Sequence, residues 1–180
     1  MRPRAEYLSC AFALLLTSTL AAADGRDDRT PPDEERFLNA PVPPITVTTA
    51  RGDRMDLARL ADGHPLLLAL VFTRCAGVCS PFLASWRAAD QRLSDRRTIR
   101  RLVLSFDPRD SATDMAEFAR HFGLDNDPTW TFGVAADDDV RQLAAAAGFW
   151  YEWDDSRQQF DHPAMLAAVR DGRLIRLLVG

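Results

Sequence analysis

The stretch Pro65–Phe72, PLLLALVF, runs directly into Phe72–Phe82, FTRCAGVCSPF. The first is a continuous apolar run of strand length, the pattern of a strand buried on both faces. The second places Cys75 and Cys79 at the end of that strand, with helical spacing following from Ser80 to Leu93. Two thiols at a strand-to-helix junction point to three chemistries: a structural disulfide, a redox pair or a metal site.

Outward from this junction the pattern alternates. ITVTTARG is a short strand and turn, and DRMDLARLADG a loop with a second short element. After the cysteines, Phe82, Leu83, Trp86, Ala89 and Leu93 form the apolar stripe of a helix, with Asp90 as a polar flank. RRLVLSF is a second buried-type strand. A turn over Asp107–Asp110 follows, then a helix over Ser111–Gly123. Ser111 is its cap, Asp114 stands at the capping-box position, and Met115, Phe118, Ala119 and Phe122 make its apolar face. TWTFGVAA is a third strand and Asp138–Gly148 a helix, with the acidic run Asp137–Asp139 suited to its N-terminus. MLAAV and RLIRLLV flank Arg170-Asp171-Gly172 as a hairpin. This is an α/β layout, and in open α/β sheets sites form at the carboxyl ends of the strands, where the cysteines fall.

The chain has 180 residues, enough for one domain with a core that needs no staples. Its formal charge is −4, lysine is absent and the arginines are scattered, which excludes a basic nucleic-acid interface. Residues 1–23 read as a signal peptide: Arg2 and Arg4, the apolar stretch LSCAFALLLTSTL, then Ala21–Ala23 before Asp24. Cys10 precedes most of the apolar stretch, so lipidation there is disfavoured; an uncleaved membrane tether is the alternative to cleavage. Residues 24–44, polar and proline-rich, read as a flexible arm or tether, and 45–180 as the domain. The expected compartment is exported and oxidising: periplasmic, or membrane-anchored facing the periplasm. The mature chain would carry a formal charge of −5, because removing Arg2, Arg4 and Glu6 leaves 20 positive and 25 negative groups.

The cysteine spacing is C-x-x-x-C, which matches neither C-x-x-C nor C-x-x-C-H. Residues four apart share a helix face, so the two sulfurs can meet one ion or close a bond. A helix N-terminus favours a thiolate, and Arg74 stands beside Cys75 to add to this. Of the histidines, His64 and His121 read as solvated loop and helix-flank residues. His162, in QQFDHPAML, stands just before a hairpin strand of the same sheet, with Asp161 placed to orient its loop or ring. Two thiols and one imidazole make a soft ligand set suited to copper. Met165 is a possible soft fourth ligand, set against a core position. Trp150, Tyr151 and Trp153 read as core packing. Asp107 and Asp110 read as turn and cap residues.

Three segments, in order, resemble the Sco/SenC copper chaperones of cytochrome c oxidase assembly: DGHPLLLALVFTRCAGVCSPF, LVLSFDPRDSATDMAEFARHFG and FDHPAMLAAVRDGRLI. The resemblance runs from about Pro41 to the C-terminus. It implies a thioredoxin-like fold with a central mixed sheet flanked by helices. It also implies copper held by Cys75, Cys79 and His162, for delivery to the dinuclear copper centre of a terminal oxidase or reduction of that centre's cysteines. The implied partner is a copper-receiving oxidase subunit or another copper chaperone. The departures are Ala76 and Ser80 where the family has proline, D-P-R-D where it has D-P-x-R-D, and D-H-P where it has D-H-S. The family's final helix has no counterpart before Gly180. The alternative is a thiol–disulfide oxidoreductase with Cys75 and Cys79 as its redox pair and Cys75 attacking. A structural disulfide ranks last, because so short a loop removes little unfolded-state entropy.

Overall fold

The computed structural model describes residues 34–75 and 77–179. The expected signal segment, 1–23, and the first part of the expected arm, 24–33, lie outside them. Among the described residues no helix is long and apolar enough to cross a membrane.

The strand predicted from PLLLALVF is β4 (Leu66–Val71), after β1 (Glu34–Pro41), β2 (Thr46–Thr49), β3 (Arg54–Asp56) and the short α1 (Leu57–Ala61). It runs parallel to β5 (Arg100–Ser105), which runs parallel to β6 (Trp130–Ala135). Both β4 and β5 are buried at nearly every residue, which is why they read as unbroken apolar runs. Between them lies α2 (Cys79–Asp90), and between β5 and β6 lies α3 (Ala112–His121). After β6 come α4 (Asp137–Ala147), β7 (Glu152–Asp154), β8 (Gln159–Asp161), β9 (Met165–Arg170) and β10 (Arg173–Val179).

The main sheet has eight strands in the order β1-β10-β9-β4-β5-β6-β2-β3, and β7 and β8 form a separate ribbon. β9 pairs antiparallel to β4, with Ala69 opposite Leu166. The N-terminal end of β9 therefore lies at the carboxyl end of β4. That topology carries His162 to the cysteine junction. The β9–β10 turn is closed by Asp171 and Gly172, both at positive φ (50° and 70°), the backbone of a type I′ hairpin.

Local signals and structure agree closely at α3. Ser111 caps it, its hydroxyl accepting from the Asp114 amide while the Asp114 carboxylate accepts from the Ser111 amide. α2 departs from its expected stripe. Its buried face is Cys79, Leu83, Trp86 and Asp90, whereas Ala89 is exposed and Leu93 is 44% exposed beyond the helix end. Asp90 turns inward because Arg101 of β5 is also buried and donates to it. The Arg101 guanidinium also donates to the carbonyls of Arg96 and Ile99, so the buried charge is fully engaged.

Two elements were not foreseen. Part of the expected arm is β1, which pairs antiparallel with β10, Glu34 opposite Val179. The β7–β8 ribbon lies between α4 and His162.

Candidate metal centre

Cys75 lies in the loop after β4, and Cys79 is the first residue of α2. The chain leaves β4 at Phe72, and the Cys75 amide donates back to the Phe72 carbonyl, turning the loop. The Cys79 amide, one of the free N–H groups of the helix start, donates to the Cys75 sulfur at 3.3 Å. His162 follows β8 and places its Nε2 3.9 Å from the Cys79 sulfur. The ligating atoms of Cys75, Cys79 and His162 all lie within 4.8 Å of one another, an arrangement no other group of three such residues shares among those described.

The orientation of the His162 ring follows from its neighbours. Its Nδ1 lies 2.8 Å from the Pro163 carbonyl and donates to it, which turns Nε2 toward the sulfurs. The ring is boxed by Phe72, Phe106 and Phe149, at centroid distances of 5.5, 5.1 and 6.2 Å. Of the two roles expected of Asp161, the contact it makes is with the loop and not the ring. Its carboxylate accepts from Arg157, in the turn between β7 and β8.

The two cysteines are free and electrostatically unlike. Cys79 holds its proton and donates it to Cys75, which lowers the Cys75 pKa from 9.0 to about 3 against the opposing effect of burial; His162 and the amides of Cys79 and Gly77 add to the lowering. The same hydrogen bond, and then burial, push the buried Cys79 up. One thiolate and one thiol thus share a proton. Arg74 is not part of this balance, contrary to expectation. It turns away and pairs with Asp107 and Asp110, at 2.9 and 3.1 Å.

Asp107 and Asp110 have buried side chains and do more than cap a turn. Asp110 accepts from the Thr73 amide (2.9 Å), the Thr73 hydroxyl (2.7 Å) and the Ser105 hydroxyl (2.6 Å). It pins the start of the cysteine loop to the end of β5. Asp107 accepts from Arg74, Arg109 and the Arg109 amide, which hold its carboxyl below the usual range although burial opposes them. The D-P-R-D turn was visible in the sequence, but nothing local marks its contact with the Thr73–Arg74 pair.

The remaining candidates lie elsewhere. His64 precedes β4, at the opposite end of the strand from the cysteines, and lines a cavity of about 580 Å³ with Ile45, Leu57 and Val169. His121 is exposed and packs edge-on to Phe122. Met165 is wholly buried in the core. Tyr151 packs into the aromatic cluster with Phe106 and Phe160, while Trp153 packs on Phe160 and Arg109.

The donor set fits a soft ion. Metal–sulfur bonds of about 2.3 Å separate trigonal ligands by about 4 Å, close to the spacing of Cys79 and His162.

A mixed sheet with a thiol pair at the β4–α2 junction defines a thioredoxin-like domain. More particularly, the sequence matches the SCO1/SenC family over residues 34–179, and the chain belongs to that family. Solved structures with this fold include Arabidopsis thaliana ScoI with copper bound (20% identity, 77% of this chain and 87% of that one, TM-score 0.63). They also include Bradyrhizobium japonicum ScoI with copper bound (22%, 76% and 87%, TM-score 0.64). A third is BsSco, described as having a disulfide switch and as a member of the Sco family of cytochrome c oxidase assembly proteins (22%, 83% and 88%, TM-score 0.67). No curated protein matches the sequence.

Proposed function

We propose that this protein is an exported copper-binding chaperone that carries copper on Cys75, Cys79 and His162 to the dinuclear copper centre of cytochrome c oxidase. The observation that carries this reading is the convergence of three soft donors within 4.8 Å in a SCO1/SenC chain. The copper-bound ScoI structures of Arabidopsis and Bradyrhizobium support copper as the cargo, and the assembly role described for BsSco's family supports the destination. Export rests on the N-terminal targeting pattern.

The residues supply the cargo site in an ordered way. Cys75 is already a thiolate, and His162 already turns its Nε2 toward the sulfurs. Cys79 must release its proton on loading, so binding strengthens with pH. Oxidation of the pair to a disulfide removes both sulfur ligands, which couples cargo to redox state.

Anaerobic Cu(I) titration of the reduced protein against a competing chelator tests the reading. Tight one-to-one binding that weakens at least about tenfold in His162→Ala is the expected result. Equal affinity in the variant rejects the three-ligand site.

The asymmetry of the thiols favours a second reading on the same residues, a thiol–disulfide oxidoreductase. A half-exposed thiolate beside a buried thiol is the pattern of an attacking and a resolving cysteine. Failure of Cys75 to exchange with a protein disulfide removes that reading.

A further inference from the structure

The metal-site residues come from two separate pieces of chain, the loop after β4 and the segment after the β7–β8 ribbon. They are joined by a bridge that touches neither the sulfurs nor the imidazole. Arg74, next to Cys75, donates to Asp107 at 2.9 Å. Arg109 grips the same carboxylate with two nitrogens, Nε and Nη2, each at 2.8 Å. The guanidinium of Arg109 lies 4.3 Å from the ring centre of Trp153 in β7 and 5.7 Å from that of Phe160 in β8. Phe160 is two residues before His162 and packs on Phe72 and Phe106, as His162 does.

We propose that Arg109 and Asp107 are positioning residues, which tie the cysteine loop to the histidine ribbon and so set the distance between the thiols and the imidazole. This rests on the copper reading of the site for its functional weight. Three features support it. The Asp107 carboxylate is fully buried, so its two arginine partners are held in one geometry. Arg109 is planar and bidentate while its other face stacks on Trp153, a combination a lysine cannot reproduce. The ribbon itself is only three residues per strand, too short to hold its own position.

The test uses the reduced full chain and reads Cu(I) affinity together with the His162 ring signals in nitrogen-edited NMR of the copper-free protein. Arg109→Ala and Trp153→Ala should each weaken Cu(I) binding by about tenfold or more, the scale of losing a group that orients a metal ligand. Trp153→Phe keeps a ring face under the guanidinium and should restore most of the affinity. In a His162→Ala background, Arg109→Ala should cost nothing further, because the residue it positions is gone. The copper-free variants should show His162 signals broadened or shifted. Full affinity in Arg109→Ala, or a loss that multiplies with that of His162→Ala, overturns the proposal. If the wild type binds no copper, the cargo reading fails, and the ring signals decide the bridge alone. Disturbed signals in Arg109→Ala support it, and unchanged signals overturn it.

Discussion

The Nε2 of His162 stands 3.9 Å from the sulfur of Cys79, across 83 residues of sequence. The sheet brings them together: β9 returns antiparallel along β4, so the residues before β9 meet the loop after β4. Aromatic packing then fixes the ring. Phe106, at the end of β5, is almost fully buried and touches His162, Phe72, Phe149, Tyr151 and Phe160. Phe106→Ala is expected to cost about 3–5 kcal/mol in urea unfolding, since the cavity lies among large rings that cannot collapse onto it. Phe106→Leu should cost less than half of that.

The Cys75 thiolate gives a pH signature. Its pKa is lowered from 9.0 to about 3, chiefly by the hydrogen bond from Cys79. Alkylation of Cys75 by iodoacetamide in the reduced protein should therefore stay nearly constant from pH about 8 down to about 4, then fall. Cys79→Ala removes the main donor, raises the Cys75 pKa and should slow the reaction at pH about 5. The linked stability has a definite sign. A depressed thiol pKa contributes stability that is complete above the unfolded value of 9.0 and lost as pH falls towards about 3. The stability difference between the protein and Cys75→Ser should shrink over that window. A difference that grows on acidification rejects the assignment.

The elements legible in the sequence are those whose signal is local. β4 and β5 declare themselves because burial on both faces leaves no polar alternation. The α3 cap and the Asp171-Gly172 turn are set by residues within four positions of each other. The candidate metal-site residues stand out by chemical type, since cysteines and histidines are few. The unread features depend on distant partners. β1 is a strand only because β10, about 140 residues away, offers an edge. Asp90 on α2 looks like a solvated flank until Arg101 is seen beneath it. Asp107 and Asp110 look like turn residues until Thr73 and Arg74 arrive from the neighbouring strand.

Asp110 illustrates what such a contact contributes. Its carboxylate is the common acceptor for the Thr73 amide, the Thr73 hydroxyl and the Ser105 hydroxyl. Asp110→Ala strands at least one buried donor, and each costs about 1–3 kcal/mol. A total loss of about 2–4 kcal/mol is expected by denaturant unfolding. Asp110→Asn keeps one acceptor oxygen and the shape of the side chain, and should lose less. Thr73→Val, which removes only the hydroxyl, should lose about 1 kcal/mol. Equal stability of Asp110→Ala and the wild type would show that the clamp contributes nothing.

The Asp90–Arg101 pair has a different logic, because both partners are charged and buried. Removing one leaves the other desolvated without its counter-charge. Asp90→Ala should cost about 3–5 kcal/mol, with the midpoint of urea unfolding falling accordingly. Arg101 also holds the carbonyls of Arg96 and Ile99, so Arg101→Leu strands those acceptors as well as Asp90. Replacing both residues with apolar ones removes the charges together. Asp90→Leu combined with Arg101→Met is therefore expected to be more stable than Asp90→Ala alone, with only the two carbonyls left to re-pair with water. If the double variant instead loses the sum of the two single losses, the residues act independently and the pair is not the reason Asp90 is buried.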